Sequence, residues 1–179
     1  MGKSRTAFEL LFDIDQRCRS LAAGLPSQET REQDWSGIGF RLGEQWFVTP
    51  MGEIAEILNE PRVAAMPGVR PWVAGIANLR GRLLPVMDLG RYFGQTYSSL
   101  RKQRRVLVVE HQEVFTGLLV DEVLGLQHFE PADLLPGADA GCGARMAPFI
   151  RGQFQAARRW RVFSTKALVQ SADFLDVAV

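Results

Sequence analysis

The chain has 179 residues, 46% of them hydrophobic and 23% charged, enough apolar material to bury a core of ordinary size. A formal net charge of +1 lacks the basic excess of a nucleic-acid or anionic-membrane binder, so any electrostatic recognition has to be local. The two cysteines, Cys18 and Cys142, are too few and too isolated for a disulfide framework or a zinc cluster, and the expected compartment is reducing and cytoplasmic.

Met1-Gly2-Lys3-Ser4-Arg5 opens the sequence, but Glu9, Asp13 and Asp15 interrupt any apolar run behind these basic residues. No later stretch reaches the roughly 18 apolar residues of a membrane span, so no direct membrane insertion is expected. Gly2-Lys3-Ser4 ends like a phosphate-binding loop but lacks the glycine-rich turn and the strand that must precede it. The first 25 residues read as a helix, with Ala7, Leu10, Leu11, Ile14, Cys18, Leu21, Ala22 and Leu25 on a 3.6-residue stripe that Phe8 and Phe12 widen. Thr6 and Glu9 have capping-box spacing, and Gly24 with Pro26 supplies a stop. This helix either packs on its own domain or docks on a partner, helix in groove. "PSQETREQD", residues 26 to 34, is polar and aperiodic and reads as a linker. The expected organisation is therefore residues 1–34, amphipathic helix and linker, followed by one domain over residues 35–179.

From Trp35 the texture becomes β. Ile38, Phe40 and Leu42 alternate with polar or small residues, and Glu44-Gln45 turns the chain into "WFVTP". "RVLVVE" is a strand, His111-Gln112 a hairpin tip, and "EVFTGLLVDEVLGL" returns. "PFIRGQFQA" and "WRVFS" bracket a turn at Arg158-Arg159, and Ser164 or Thr165 can cap a final helix that includes Ala167, Leu168 and Phe174. Many short strands with helices only at the termini argue for a mainly β sandwich or barrels.

Candidate catalytic groups are few. Cys142 with His111 or His128 would make a nucleophile and base, but the spacing does not join them and a free structural or surface cysteine is the favoured reading. No third ligand stands at metal-binding spacing beside either histidine, and Gly141-Cys142-Gly143 follows no strand, so neither metal nor dinucleotide cofactor is expected. Asp121 and Glu122 are adjacent on a strand, point to opposite faces and read as a strand edge or surface charge rather than an acid–base pair. Arg101-Lys102-Gln103-Arg104-Arg105 reads as a solvated face or a partner patch and is short for a nucleic-acid stripe.

"GIANLRGRLLPVMDLGRYFG", residues 75 to 94, is apolar enough for core yet carries Asn78, Arg80, Arg82 and Asp88. Pro85 cannot donate to a central ladder and suggests an edge strand or a bulge. Gly75 and Gly81 permit close backbone approach or positive φ at either end of "IANLR". Arg80 between them is either clasped internally, by Glu56, Asp88 or backbone carbonyls, or presented outward as a recognition element.

"WVAGIANLRGRLLPVMDLGRYFG" resembles the central signature of the CheW family of chemotaxis coupling proteins, and "GIGFRLGEQWFVTPMGEIAEIL", "RVLVVEHQEVFTGLLVDEVLGL" and "PFIRGQF…WRVFSTKALV" resemble its flanking strands in the right order. The helical extension, the "WSGIGFR" entry and the "FLDVAV" terminus look nearest to the CheW-like proteins of type IV pilus chemosensory systems. The resemblance implies two packed five-stranded SH3-like β-barrels with an N-terminal helix and a short C-terminal helix. It implies a non-catalytic adaptor, without cofactor, that couples the cytoplasmic tip of a methyl-accepting chemoreceptor to the regulatory domain of a CheA-type histidine kinase. Recruitment to membrane-associated receptor arrays and control of twitching motility follow from the same resemblance. Carried over by position, the receptor-facing residues are Ile54, Glu56, Gly75 and Arg80, with Asn78 and Gly81 shaping the turn; Ile54 and Glu56, two apart, would share a strand face. The alternative reading is a small β-barrel module that binds nucleic acid or another ligand.

Overall fold

The computed structural model describes residues 7–21, 34–95, 100–137 and 141–179. Residues 1–33 and 34–179 form two units, each described by itself. In the first, α1 (Ala7–Leu21) carries an Asp13–Arg17 ion pair one turn apart at 2.9 Å; the Thr6 cap and the Gly24–Pro26 stop lie outside the described residues.

The second unit is built from two sheets. β1 (Trp35–Leu42) and β2 (Gln45–Pro50) begin one sheet. The chain then forms the whole of the other: β3 (Glu56–Asn59), β4 (Val73–Leu79), β5 (Arg82–Asp88), β6 (Arg105–His111) and β7 (Val114–Val120), ordered β3-β6-β7-β5-β4. It returns through β8 (Glu122–Phe129), β9 (Leu134–Pro136), β10 (Ile150–Gln155) and β11 (Arg159–Phe163) to complete the order β8-β1-β2-β11-β10-β9. The sheets thus have six and five strands, where five and five were expected; the additional strand is the three-residue β9.

Both sheets curl, for reasons of chain length. β8 and β9 are the two ends of the six-stranded sheet, yet only residues 130–133 join them, a span of at most about 18 Å in extended chain. In the five-stranded sheet, the segment leaving the end strand β3 brings Ala64 back to exchange two backbone hydrogen bonds with Ile76 of the opposite end strand, at 2.8 and 2.9 Å.

Side-chain alternation then sorts the apolar residues into three layers. Val48, Phe154, Trp160 and Val162 fill the six-stranded sheet, with the rings of Phe129 and Phe154 stacked at 4.4 Å. Leu84, Val86, Val106, Val108 and Leu119 fill the five-stranded one. The alternate residues, among them Phe40, Phe47, Leu107, Val109, Leu118 and Phe163, form the largest core between the two sheets. Because β2, β6 and β7 carry apolar side chains on both faces, they serve two layers each.

Three local expectations are corrected. Pro85 lies in a central strand, between β4 and β7, not at an edge. The parallel ladder with β7 starts one residue later at Val86, and the Pro85 carbonyl accepts from Thr116 Oγ1 at 3.0 Å. Asp121 is no surface charge: its side chain is 1% exposed. It is the single residue between β7 and β8, where the chain crosses between sheets, and its carboxylate accepts from the Gly43 backbone N–H at 2.6 Å, tying that crossing to the β1–β2 turn. Arg41 lies beside it, 3.9 Å away, and also reaches Glu122 at 3.4 Å. The final helix is two short ones, α3 (Thr165–Val169) and α4 (Ala172–Leu175), following α2 (Leu89–Tyr92) in chain order. Ser164 caps α3 through the Ala167 N–H, and the Glu53 carboxylate accepts from the Lys166 N–H (3.0 Å) and Thr165 Oγ1 (2.9 Å) at the same end.

Candidate functional site at the open end of the five-stranded sheet

β4 and β5 are joined by a two-residue turn, Arg80-Gly81, in which both residues have positive φ, 51° and 87°. This geometry matches the right-handed twist of a hairpin but suits Asn-Gly far better than Arg-Gly. Gly81 meets the requirement at no steric cost, whereas Arg80 occupies the left-handed region against its preference. Asn78 stabilises the arrangement: its Oδ1 accepts from the Gly81 N–H at 2.8 Å. The Arg80 side chain lies across the end of the curled sheet, where Nη2 donates to Glu56 Oε1 of β3 at 2.6 Å. The Arg80 side chain is 77% exposed and that of Glu56 31%, so Glu56 positions the cation from behind while leaving most of the side chain to solvent. The inward and outward readings of Arg80 are thus both satisfied by one conformation.

The remaining wall of this open end escaped the sequence reading. Arg82 continues the inward row of Leu84 and Val86, Glu110 that of Val106 and Val108, and Phe115 packs against the same core. Arg82 donates to both Glu110 oxygens, at 2.9 and 3.5 Å, and its guanidinium carbon sits 3.8 Å from the Phe115 ring centroid. Together with Ala55, Glu56, Leu79, Arg80 and Val108 they line one shallow groove. The signal for them was the period-2 alternation, which turns polar at the last inward position of β5 and β6 where the interior meets water.

Two of the positions carried over by resemblance stand behind the groove rather than on it. Ile54 precedes β3, sits at the end of a 3-10 turn over Met51–Glu53 and packs against the central core, so it does not share a strand face with Glu56. Gly75 is buried at a bulge with φ 138°, and a Cβ there would run into the Ala64 carbonyl that closes the sheet. Its contribution is to admit that backbone, which no side chain permits.

The other candidates separate. His111 ends β6 and lies 3.1 Å from the Gln170 amide, whereas His128 is on β8 in the other sheet, 2.9 Å from Ser36 Oγ. Cys142 is buried in the central core. Among the described residues no group of three or more His, Cys, Asp and Glu could hold a metal ion, and no helix is long and apolar enough to cross a membrane. The basic run lies at the surface, as expected of a solvated face, with Arg101, Lys102 and Gln103 exposed: Arg101 donates to Glu60 at 3.0 Å, Arg104 approaches it at 4.0 Å, and Arg105 donates to the Lys102 and Arg104 carbonyls.

Comparison with known proteins places this architecture. Residues 36–173 match the CheW-like domain. The chain is 58% identical to Protein PilI of Pseudomonas aeruginosa over 179 residues, the full length of both. It is 29% identical to Protein FrzA of Myxococcus xanthus, covering 74% of this chain and 81% of that one, and 29% identical to the chemotaxis protein CheW of Helicobacter pylori, covering 70% and 76%. The crystal structure of the scaffolding protein TtCheW from Thermoanaerobacter tengcongensis superposes with a TM-score of 0.64 at 22% identity, over 73% of this chain and 88% of that one, which shows the shared fold. With its two curled sheets, its Asn-Leu-Arg-Gly hairpin and a family match spanning most of its length, the chain belongs to the CheW-like family.

Proposed function

We propose that this chain is a non-catalytic adaptor that couples the cytoplasmic tip of a methyl-accepting chemoreceptor to a CheA-type histidine kinase, in a chemosensory system controlling type IV pilus twitching motility. The observation that carries the reading is Arg80: a guanidinium held in a strained turn, oriented by Glu56 and still mostly open to solvent. Backbone strain at a non-glycine residue persists where the side chain is needed there, and an oriented, exposed arginine is a strong element of protein recognition. Full-length similarity to Protein PilI supports the pilus setting. Two modest interfaces on one rigid body would raise the effective concentration of kinase at the receptor, with no turnover required. Receptor state would reach the kinase as a shift between existing conformations, provided the adaptor's contacts differ between them. The protein would work in the cytoplasm, gathered at membrane-associated receptor arrays.

The test is titration of a receptor hairpin fragment and, separately, of a kinase regulatory domain into the full-length protein and its Arg80→Glu variant. Both partners should bind the wild type, and Arg80→Glu should lose the receptor while keeping the kinase. Failure of the wild type to bind either partner overturns the reading. Salt-sensitive binding of single-stranded oligonucleotide would favour a nucleic-acid module instead.

A further inference from the structure

We propose that Arg82 is a second recognition residue of the same groove, and that with Arg80 it selects a receptor tip whose apolar helical surface carries acidic side chains. This rests on the receptor-docking reading above. Arg82 and Arg80 flank Gly81, yet they are held by different strands: Arg80 by Glu56 of β3, and Arg82 by Glu110 of β6. In both pairs the cation is the more exposed partner, 77% against 31% and 58% against 48%. Glu56 thus lies behind its cation, while Glu110 shares the surface with Arg82, and each arginine keeps N–H groups that its own carboxylate does not use available to an arriving partner. Arg82 uses two of its five N–H groups on Glu110, and its guanidinium carbon lies over the Phe115 ring at 3.8 Å from the centroid, which restrains the head group from that side. Leu79, Ala55 and Val108 supply an apolar floor between the two pairs. Such a surface is complementary to a helix that buries an apolar ridge and places carboxylates on its flanks.

The arrangement also separates the two arginines by task. Arg80 is fixed by a turn that its own backbone disfavours, whereas Arg82 sits on an ordinary strand, where its replacement leaves the backbone unstrained. Changes at Arg82 should therefore alter partner choice with little effect on folding.

The experiment uses the full-length protein and a receptor hairpin fragment in two forms: native, and with the exposed acidic residues at its tip changed to their amides. Wild type should bind the amide form about tenfold more weakly and with a shallower salt dependence, as expected when a charge-assisted bond is lost. Arg82→Ala should weaken binding of the native form by a similar factor and discriminate between the two forms clearly less than wild type does. Arg82→Lys should recover only part of the difference, because an ammonium neither stacks flat on Phe115 nor grips Glu110 in two places. Thermal unfolding of each variant reports the fold. If Arg82→Ala binds the native hairpin within about twofold of wild type while Arg80→Glu has lost it, the role of Arg82 is refuted and the docking reading stands. Equal affinity of wild type for the two hairpin forms refutes the acidic partner without any variant of the protein. Retention of binding by Arg80→Glu refutes the docking reading itself.

Discussion

Replacing Arg80 by glycine separates the recognition role of this residue from its structural one. The substitution relieves the left-handed backbone, worth about 1–2 kcal/mol for a residue with a Cβ, and adds chain entropy to the unfolded state, roughly 0.5–1 kcal/mol the other way. The lost ion pair with Glu56 joins a side chain that is 77% exposed, so it contributes about 0–1 kcal/mol. These terms largely offset one another, and for a domain of this size the expected shift in Tm is no more than about 6 °C in either direction. Binding to the receptor hairpin should nevertheless fall by about tenfold or more, the usual cost of truncating an arginine anchor. Calorimetry of unfolding and titration of the hairpin fragment measure the two quantities on the same preparation. A fall in Tm of more than about 8 °C would mean that the Arg80–Glu56 pair is a structural clasp. Unchanged affinity at unchanged Tm would mean that the strained turn serves some other end.

Gly75→Ala should be among the most damaging single-methyl additions in the protein. The new Cβ meets the Ala64 carbonyl at a positive φ, and a loss of at least about 2 kcal/mol is expected from the urea midpoint. Asp121→Ala removes a buried acceptor and leaves Arg41 without that neighbour, at about 2–4 kcal/mol, with Asp121→Asn costing less because an amide oxygen can still accept from the Gly43 N–H. Equal losses for the two variants would show that the Gly43 bond contributes nothing. Glu53→Ala deprives the Lys166 N–H and Thr165 Oγ1 of their acceptor, and hydrogen exchange at the start of α3 should accelerate by about tenfold while the central strands of both sheets keep their protection.

Much of this fold was legible as alternation. The cap at Ser164 depends on residues close in sequence and was found in place, as was the Asn78–Gly81 turn that the resemblance implied, while the two other hairpins turn one residue away from the expected pairs, at Gln112-Glu113 and at 156–158. Local pattern failed where a residue's meaning depends on a distant neighbour. Pro85 reads as an edge residue until β7 is seen to begin pairing one position later. Asp121 beside Glu122 reads as surface charge until the Gly43 N–H, 78 residues away, is found against it.

The sequence by itself determined that short strands would form from Trp35 onward and near which residues several of them would turn, while the turn at Asn78 and Gly81 came from the family resemblance. Only the tertiary structure decided which apolar face of β2, β6 and β7 fills a curled sheet and which fills the layer between sheets, since both faces of these strands are hydrophobic and period 2 cannot rank them. It also decided for Glu56 among the expected partners of Arg80, and it brought Glu110, 28 residues away in sequence, to Arg82. The reason is physical: periodicity records whether a side chain leaves water, whereas the partner it meets is chosen by strand pairing between segments that the chain brings together only on folding.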